Sequence, residues 1–199
     1  MLKGFDKHGR RVFIMRIKDF NPDKYKVDDL YRLHFLICEV LMDGFLEQSS
    51  VTGSVMISDA KDVTMSHVTA FSNPAMMKKS TTVLQVSYII PNYSKNMPSE
   101  LPKSFTVHLS CPQDAYPVRP KAMYMINVPG IMENLMTLFR SLLNDKMKER
   151  FNVHSTGDFS ILHDSVGKDV LPEEYGGTNG TLKDHNGKNV HLDSGNTYT

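Results

Sequence analysis

Residues 116–151 read YPVRPKAMYMINVPGIMENLMTLFRSLLNDKMKERF, and their order decides the fold. Ala122 to Val128 is a nearly continuous apolar run, the pattern of a strand buried on both faces. Pro129 and Gly130 end it. Over 130–148 the period changes. Ile131, Leu135, Leu138 and Leu142 recur four, three and four residues apart, which makes one apolar stripe on a helix. Phe151 to His154 is again a short strand. The same alternation runs upstream. Asp6 to Arg11 reads as a turn punctuated by Gly9, and Arg11 to Ile17 as a buried strand. Val27 to Leu46 reads as a helix, with Leu30, Leu33, Ile37, Leu41 and Phe45 on one stripe. Gly53 to Ser58 is a short strand ending at Asp59. Met65 to Leu84 reads as two helical pieces, the second opened by Asn73-Pro74. Strands alternating with helices predict an α/β sheet.

Composition narrows the function. The chain has 199 residues, enough for one domain with a sizeable core. Lys plus Arg number 23 against 22 Asp plus Glu, so nucleic-acid binding by bulk charge is not expected, which leaves only a local basic patch open. Two cysteines, Cys38 and Cys111, make no disulfide framework. No apolar run reaches the length of a membrane span, and the start carries no apolar signal core. A cytoplasmic location is expected. Methionine is abundant at 13, with no tryptophan. Flexible thioethers suit an adaptable cavity, and loose core packing accounts for them equally.

The motifs of common enzymes are absent: no G-x-S-x-G, no H-E-x-x-H and no P-loop. The eight histidines have no zinc spacing, so no metal is expected. His154 and His163 read as structural. Asp59 stands where α/β enzymes place a catalytic carboxylate, but a cap for the following turn is the stronger reading. Gly176 to Gly180 resembles a phosphate loop only loosely and reads as a turn.

Charge is more informative. Residues 116–151 carry six Lys/Arg against three acids, and residues 28–72 carry two against seven. Lys146 and Arg150, four apart, share a helical face. Arg119 and Lys121, two apart, share one side of an extended segment. Cations closing a helix are also what the helix dipole favours. The stripe beside them reads either as a surface helix packed on a core or as a movable lid over an apolar cavity.

Several motifs together resemble the CRAL-TRIO lipid-binding domain family. They are Asp114 to Lys121, Ile126-Asn127-Val128-Pro129, Lys146 to Arg150, and Leu171-Pro172-Glu173-Glu174-Tyr175-Gly176-Gly177. Asp6 to Arg11 and Gly53 to Asp59 match its early strands. The likeness covers residues 4–85 and 114–180 and leans toward the tocopherol-transfer and retinaldehyde-binding branch, in an insect-like form. It implies an α/β fold in which a mixed β-sheet floors an apolar pocket covered by helices, one of them a gate. Ile131, Leu135, Leu138 and Leu142 fall on that gate. Val83, Leu84, Tyr116 and Met123 match the pocket wall. Arg119, Lys121, Lys146 and Arg150 match four cations that hold a phosphatidylinositol bisphosphate headgroup. The resemblance implies no catalytic residue and no cofactor beyond the bound lipid. It implies a monomeric carrier of a tocopherol-, retinoid- or fatty-acid-like lipid that touches membranes transiently. The alternative is a phosphoinositide-dependent recruitment module that transfers nothing.

The chain departs from the family in two respects. The family's N-terminal helical subdomain is missing from the likeness, and one domain is expected over residues 1–180, interrupted by 86–113. Residues 181–199 form a polar stretch expected to be disordered. Residues 86–113 have no family counterpart, and four of the ten prolines fall in these 28 residues. Joining Gln85 to Asp114 restores a normal family run. Val86-Ser87 is encodable as GTA-AGT and Cys111-Pro112-Gln113 as TGT-CCC-CAG, the borders of an intron. The segment therefore reads as a retained in-frame intron of 84 nucleotides, with a lineage-specific loop as the alternative.

Overall fold

The computed structural model describes residues 1–30, 33, 53–78, 80–81, 120–155 and 157–185. Four strands, β1 (Arg11–Arg16), β2 (Ser54–Asp59), β3 (Pro120–Ile126) and β4 (Phe151–Val153), form one sheet in the order β1-β2-β3-β4. Every pair is parallel. The expected α/β fold is present, but among the described residues the sheet is parallel, not mixed. Parallel strands need crossovers, and these supply the helices.

This order has a packing consequence. Each crossover steps one strand in the same direction, so crossovers of one hand put all their chain on one face. The two buried clusters follow that rule. On one face, β-residues Met56, Met123, Met125, Phe151 and Val153 meet crossover residues such as Val63, Met77, Met132, Leu135, Met136 and Met147. On the other, Val12, Val55, Ile57, Ala122, Tyr124 and Ile126 meet Leu2 from before β1 and Leu162, Val166, Val170, Leu171 and Tyr175 from after β4. Alternation along each strand sends neighbours to opposite faces.

The helices are α1 (Met65–Phe71), α2 (Glu133–Ser141), α3 (Asp145–Arg150), α4 (Ser160–Ser165) and α5 (Leu182–His185). Thr64 and His67 form a capping box that opens α1, and the far nitrogen of His67 meets the Phe20 carbonyl at 2.8 Å. A further helix runs from residue 74, as Asn73-Pro74 predicts. The helix read over 27–46 begins at residue 27, and most of it lies outside the described residues.

Three expectations need correction. The single helix over 130–148 is broken into a 3-10 turn at Gly130–Met132, then α2, then α3. The break lies at Asn144, whose backbone is extended and whose side chain accepts from the Met147 N–H at 3.0 Å. An N-cap residue there starts a new helix although the apolar period continues through Leu142 and Leu143. The third strand begins at Pro120, and its register with β2 shifts between Ser54 and Val55, leaving Lys121 as the extra residue of a bulge. The polar stretch from 181 starts ordered: Leu182 packs against the first cluster, and His185 accepts from the Lys3 N–H. Residues 186–199 and the 86–113 segment lie outside the described residues.

Candidate functional site

The C-terminal signature is explained by contacts made far from it in sequence. Tyr175 packs edge-on to Phe159 at 5.5 Å and donates its hydroxyl to Asp59 Oδ2 at 3.0 Å. Burial, with the nearby negative charge of Asp59, raises the Tyr175 pKa above the ordinary tyrosine value. Asp59 Oδ1 accepts from the Lys61 N–H and the Asn127 amide. Asp59 is thus a cap that also ties three segments together, and it is committed to structure. Gly176 has φ +70°, a left-handed conformation that favours glycine. A side chain at Gly177 would place its Cβ 1.8 Å from the Leu171 carbonyl oxygen. His163 meets the Tyr175 carbonyl at 2.9 Å, a structural role as read. The Gly176 to Gly180 stretch is a turn, also as read.

Three of the four cations lie in the described residues. Lys146 and Arg150 occupy α3 four residues apart, as their spacing predicts. The Arg150 guanidinium donates to the Pro120 carbonyl at 2.9 Å, next to Lys121. Arg150 therefore joins the end of α3 to the start of β3. The bulge leaves Lys121 exposed, and bulges commonly re-aim a side chain in this way. Lys146 is exposed too. Lys121 and Arg150 therefore meet at the end of the sheet where β3 and β4 begin, and Lys146 lies one helical turn before Arg150. Arg119 lies outside the described residues.

Of the pocket-wall residues, Met123 is buried on the crossover face of the sheet. Val83, Leu84 and Tyr116 lie outside the described residues. Seven methionines (Met56, Met77, Met123, Met125, Met132, Met136 and Met147) belong to that cluster, and none belongs to the other. Seven of the thirteen methionines are therefore gathered in one layer. Toward β1 the layer opens: Phe13 and Met56 are half-buried and Met15 is 38% exposed.

The gate residues divide. Leu135 is buried, whereas Ile131, Leu138 and Leu142 are exposed at 47%, 51% and 44%. The inward stripe of α2 and its flanks is Met132, Leu135, Met136, Phe139 and Leu143. It is rotated from the stripe read in the sequence, because apolar residues cover more than one face of this helix. Arg140 donates to the Phe151 carbonyl at 3.1 Å and ties the helix to the start of β4.

Two polar groups at this end of the sheet escaped the sequence reading. Ser54 and Arg11 are register partners at the starts of β2 and β1. No spacing or motif marks either of them. Among the described residues no group of three or more His, Cys, Asp or Glu could hold a metal ion, and no helix is long and apolar enough to cross a membrane.

The model of the CRAL/TRIO domain family matches residues 1–91 and 90–177, two stretches that meet within the 86–113 segment. The chain is 28% identical over 177 residues to proteins named alpha-tocopherol transfer protein-like in Homo sapiens and Mus musculus, covering 89% of this chain and 42% of theirs. It is 22% identical over 176 residues to Clavesin-2 of Homo sapiens, covering 88% and 44%. The chain thus spans less than half the length of these relatives. The solved structure of Sfh5 superposes with a TM-score of 0.56 at 20% identity, covering 96% of this chain and 59% of that one, a likeness of fold.

Proposed function

The chain belongs to the CRAL/TRIO domain family, and from that premise we propose that it carries a hydrophobic lipid between membranes and docks through its basic corner. The observation that carries this reading is the methionine layer beside a helix with apolar residues turned outward, with Arg150 of the following helix tied to the start of β3. The relatives' name points to a tocopherol-like cargo. Retinoids and fatty acids fit an adaptable thioether lining as well.

The energetics suit a shuttle. A lipid with about 15 buried methylenes gains up to roughly 12 kcal/mol on leaving water, so unaided desorption is slow. Four cations at an anionic surface contribute about 1 kcal/mol each, near 4 in total. That is enough to dock without anchoring. Ile131, Leu138 and Leu142 add apolar contact at the same surface. Lys121, Lys146 and Arg150, with Arg119, are proposed to capture a bisphosphate inositol headgroup. Arg150 and Arg140 tie α3 and α2 to the starts of β3 and β4. Headgroup capture that draws Arg150 from Pro120 loosens this corner and favours gate opening, coupling release to the target membrane. The work assigned to these residues is binding, with no chemical step, in the cytoplasm and as a monomer.

The test is mass spectrometry of lipids co-purifying with the chain and with a version lacking 86–113. A stoichiometric lipid on both supports a carrier and makes the segment a tolerated loop. A lipid on the shortened form alone makes the full chain an impaired isoform of a carrier. Folded proteins without lipid in both cases favour the recruitment module. For the coupling, Lys146→Ala is cleaner than Arg150→Ala, since Arg150 also supports Pro120. Lys146→Ala is expected to slow transfer to bisphosphate-containing vesicles and to leave cargo binding intact. Equal transfer rates refute the coupling.

A further inference from the structure

The start of α1 departs from the usual helix start in one residue. In the ordinary capping box a Ser or Thr is followed three residues on by Glu or Gln, whose side chain accepts from the backbone N–H of the first residue. Neither of those acceptors changes charge near neutral pH. Here the box is Thr64-x-x-His67. Nδ1 of His67 accepts from the Thr64 N–H at 3.2 Å and from its hydroxyl at 2.8 Å, and Nε2 donates to the Phe20 carbonyl at 2.8 Å. These partners assign the tautomer. A backbone N–H only donates and a carbonyl only accepts, so the ring in the box is neutral, with its proton on Nε2. His67 is 7% exposed, and no carboxylate among the described residues bonds to it. The charges on the surrounding segments are engaged elsewhere or face water. Arg16 pairs with Asp19 and Lys18 with Asp62. Asp59 is held by Tyr175, Asn127 and the Lys61 N–H. Asp23, Lys24, Lys61 and Glu133 are exposed, and α1 has no Asp, Glu, Lys or Arg.

The ring is also a latch between two segments. Phe20 follows β1 and Thr64 follows β2, so its two nitrogens join the chain leaving one strand to the chain leaving the next. Phe71, at the far end of α1, packs against the Phe20 ring with centroids 5.8 Å apart, and Val68 and Phe71 lie against the methionine layer. This is the end of the sheet where strands finish, opposite the cationic corner. A proton on Nδ1 makes both nitrogens donors and sets N–H against N–H inside the box. It also places a buried cation beside the first-turn N–H groups of the helix, where cations are disfavoured. The form that has left the box takes the proton better, so acid favours it. We propose that Thr64 and His67 form a titratable capping box: in acid the ring leaves its place, the bond to Phe20 goes with it, and α1 loosens over the methionine layer. The release of cargo that follows rests on the carrier reading, and gives that carrier a second trigger at the opposite end of the sheet from its docking cations.

Hydrogen exchange of the full chain, followed by mass spectrometry, reads the latch without any lipid. Between about pH 7.5 and 5.5, within the range where imidazoles charge, the peptide containing α1 is expected to exchange about fivefold faster relative to α2, after correction for intrinsic rates, the scale of one lost N-cap. His67→Gln completes an ordinary Thr-x-x-Gln box, and its α1 should show no such acid response. His67→Glu makes the same comparison if the Gln variant does not fold. Cargo is followed with NBD-labelled tocopherol, which has no group that titrates in this range. The parent should lose the probe faster at the lower pH, and the box variant should not. An equal acid response in parent and box variant, or none in the parent, overturns the proposal. A parent whose α1 opens in acid but which binds no probe at either pH supports the latch and overturns the carrier reading. A parent that binds the probe and retains it equally at both pH values overturns the link from latch to cargo.

Discussion

Tyr175→Phe removes one oxygen atom and leaves the ring packed on Phe159. What is lost is the hydroxyl donated to Asp59 Oδ2 at 3.0 Å. Hydrogen bonds to charged groups contribute about 1.5–3 kcal/mol, and Asp59 keeps its Lys61 and Asn127 donors. The expected loss is therefore about 2 kcal/mol, which for a chain of this size lowers Tm by roughly 4–8 °C. Urea denaturation should show a lower midpoint at unchanged slope. The pH dependence gives a second reading. The pKa of Tyr175 is raised in the folded state, so the stabilisation is complete below the ordinary tyrosine pKa of about 10. It declines as pH rises beyond that value, because the unfolded chain then releases a proton that the folded chain retains. The advantage of the parent over Tyr175→Phe should be constant from neutral pH to about 9 and shrink above 10. A variant within about 0.5 kcal/mol of the parent, below the effect of any such bond, refutes the tether. An advantage that stays constant through pH 11, a unit above the ordinary tyrosine value, refutes its ionic basis.

The paired glycines give a contrast. Gly176→Ala meets a left-handed φ and the His163 ring at 3.0 Å, a cost of about 1–2 kcal/mol. Gly177→Ala collides with the Leu171 backbone and should cost more, with a larger fall in urea midpoint; the reverse ranking contradicts the packing described. Replacing Ile131, Leu138 and Leu142 by Ser removes about 1 kcal/mol of remaining apolar burial each. Vesicle partitioning should fall roughly 100-fold by co-sedimentation while Tm stays near the parent's, and unchanged partitioning would remove α2 from the docking surface.

The strands and the cation pair were legible because their signals are local. Arg11–Arg16 and Ser54–Asp59 lie within a residue of the runs read for them, and the i, i+4 spacing of Lys146 and Arg150 survives on α3. The signature motif pointed to the family, but not to what it holds: Tyr175 and Asp59 are 116 residues apart. The break at Asn144 was hidden because Leu142, Leu143 and Met147 continue a helical period across it, and capping outweighed periodicity. The gate stripe was misplaced for a related reason. When Met132, Leu135, Leu138 and Phe139 are all apolar, spacing alone does not choose which side turns inward. Ser54 carried no signal at all, since a buried hydroxyl without a hydrogen-bond partner is a property of its surroundings.

The strand order also governs when the protein becomes safe from aggregation during synthesis. One face of the sheet is closed by the crossovers as they emerge. The other is closed by Leu2 and by residues from Leu162 to Tyr175, which emerge last. Until then Val12, Val55, Ile57, Ala122, Tyr124 and Ile126 lack their partners from Leu162 to Tyr175, and such a partly covered apolar sheet is the kind of surface that chaperones shield and that non-local pairing exposes for longest. A ribosome stalled before Leu162 would hold a half-closed sandwich. The Leu171–Gly177 signature is then the clasp of the fold: its arrival, with Tyr175 reaching back to Asp59, turns a sticky intermediate into a finished domain.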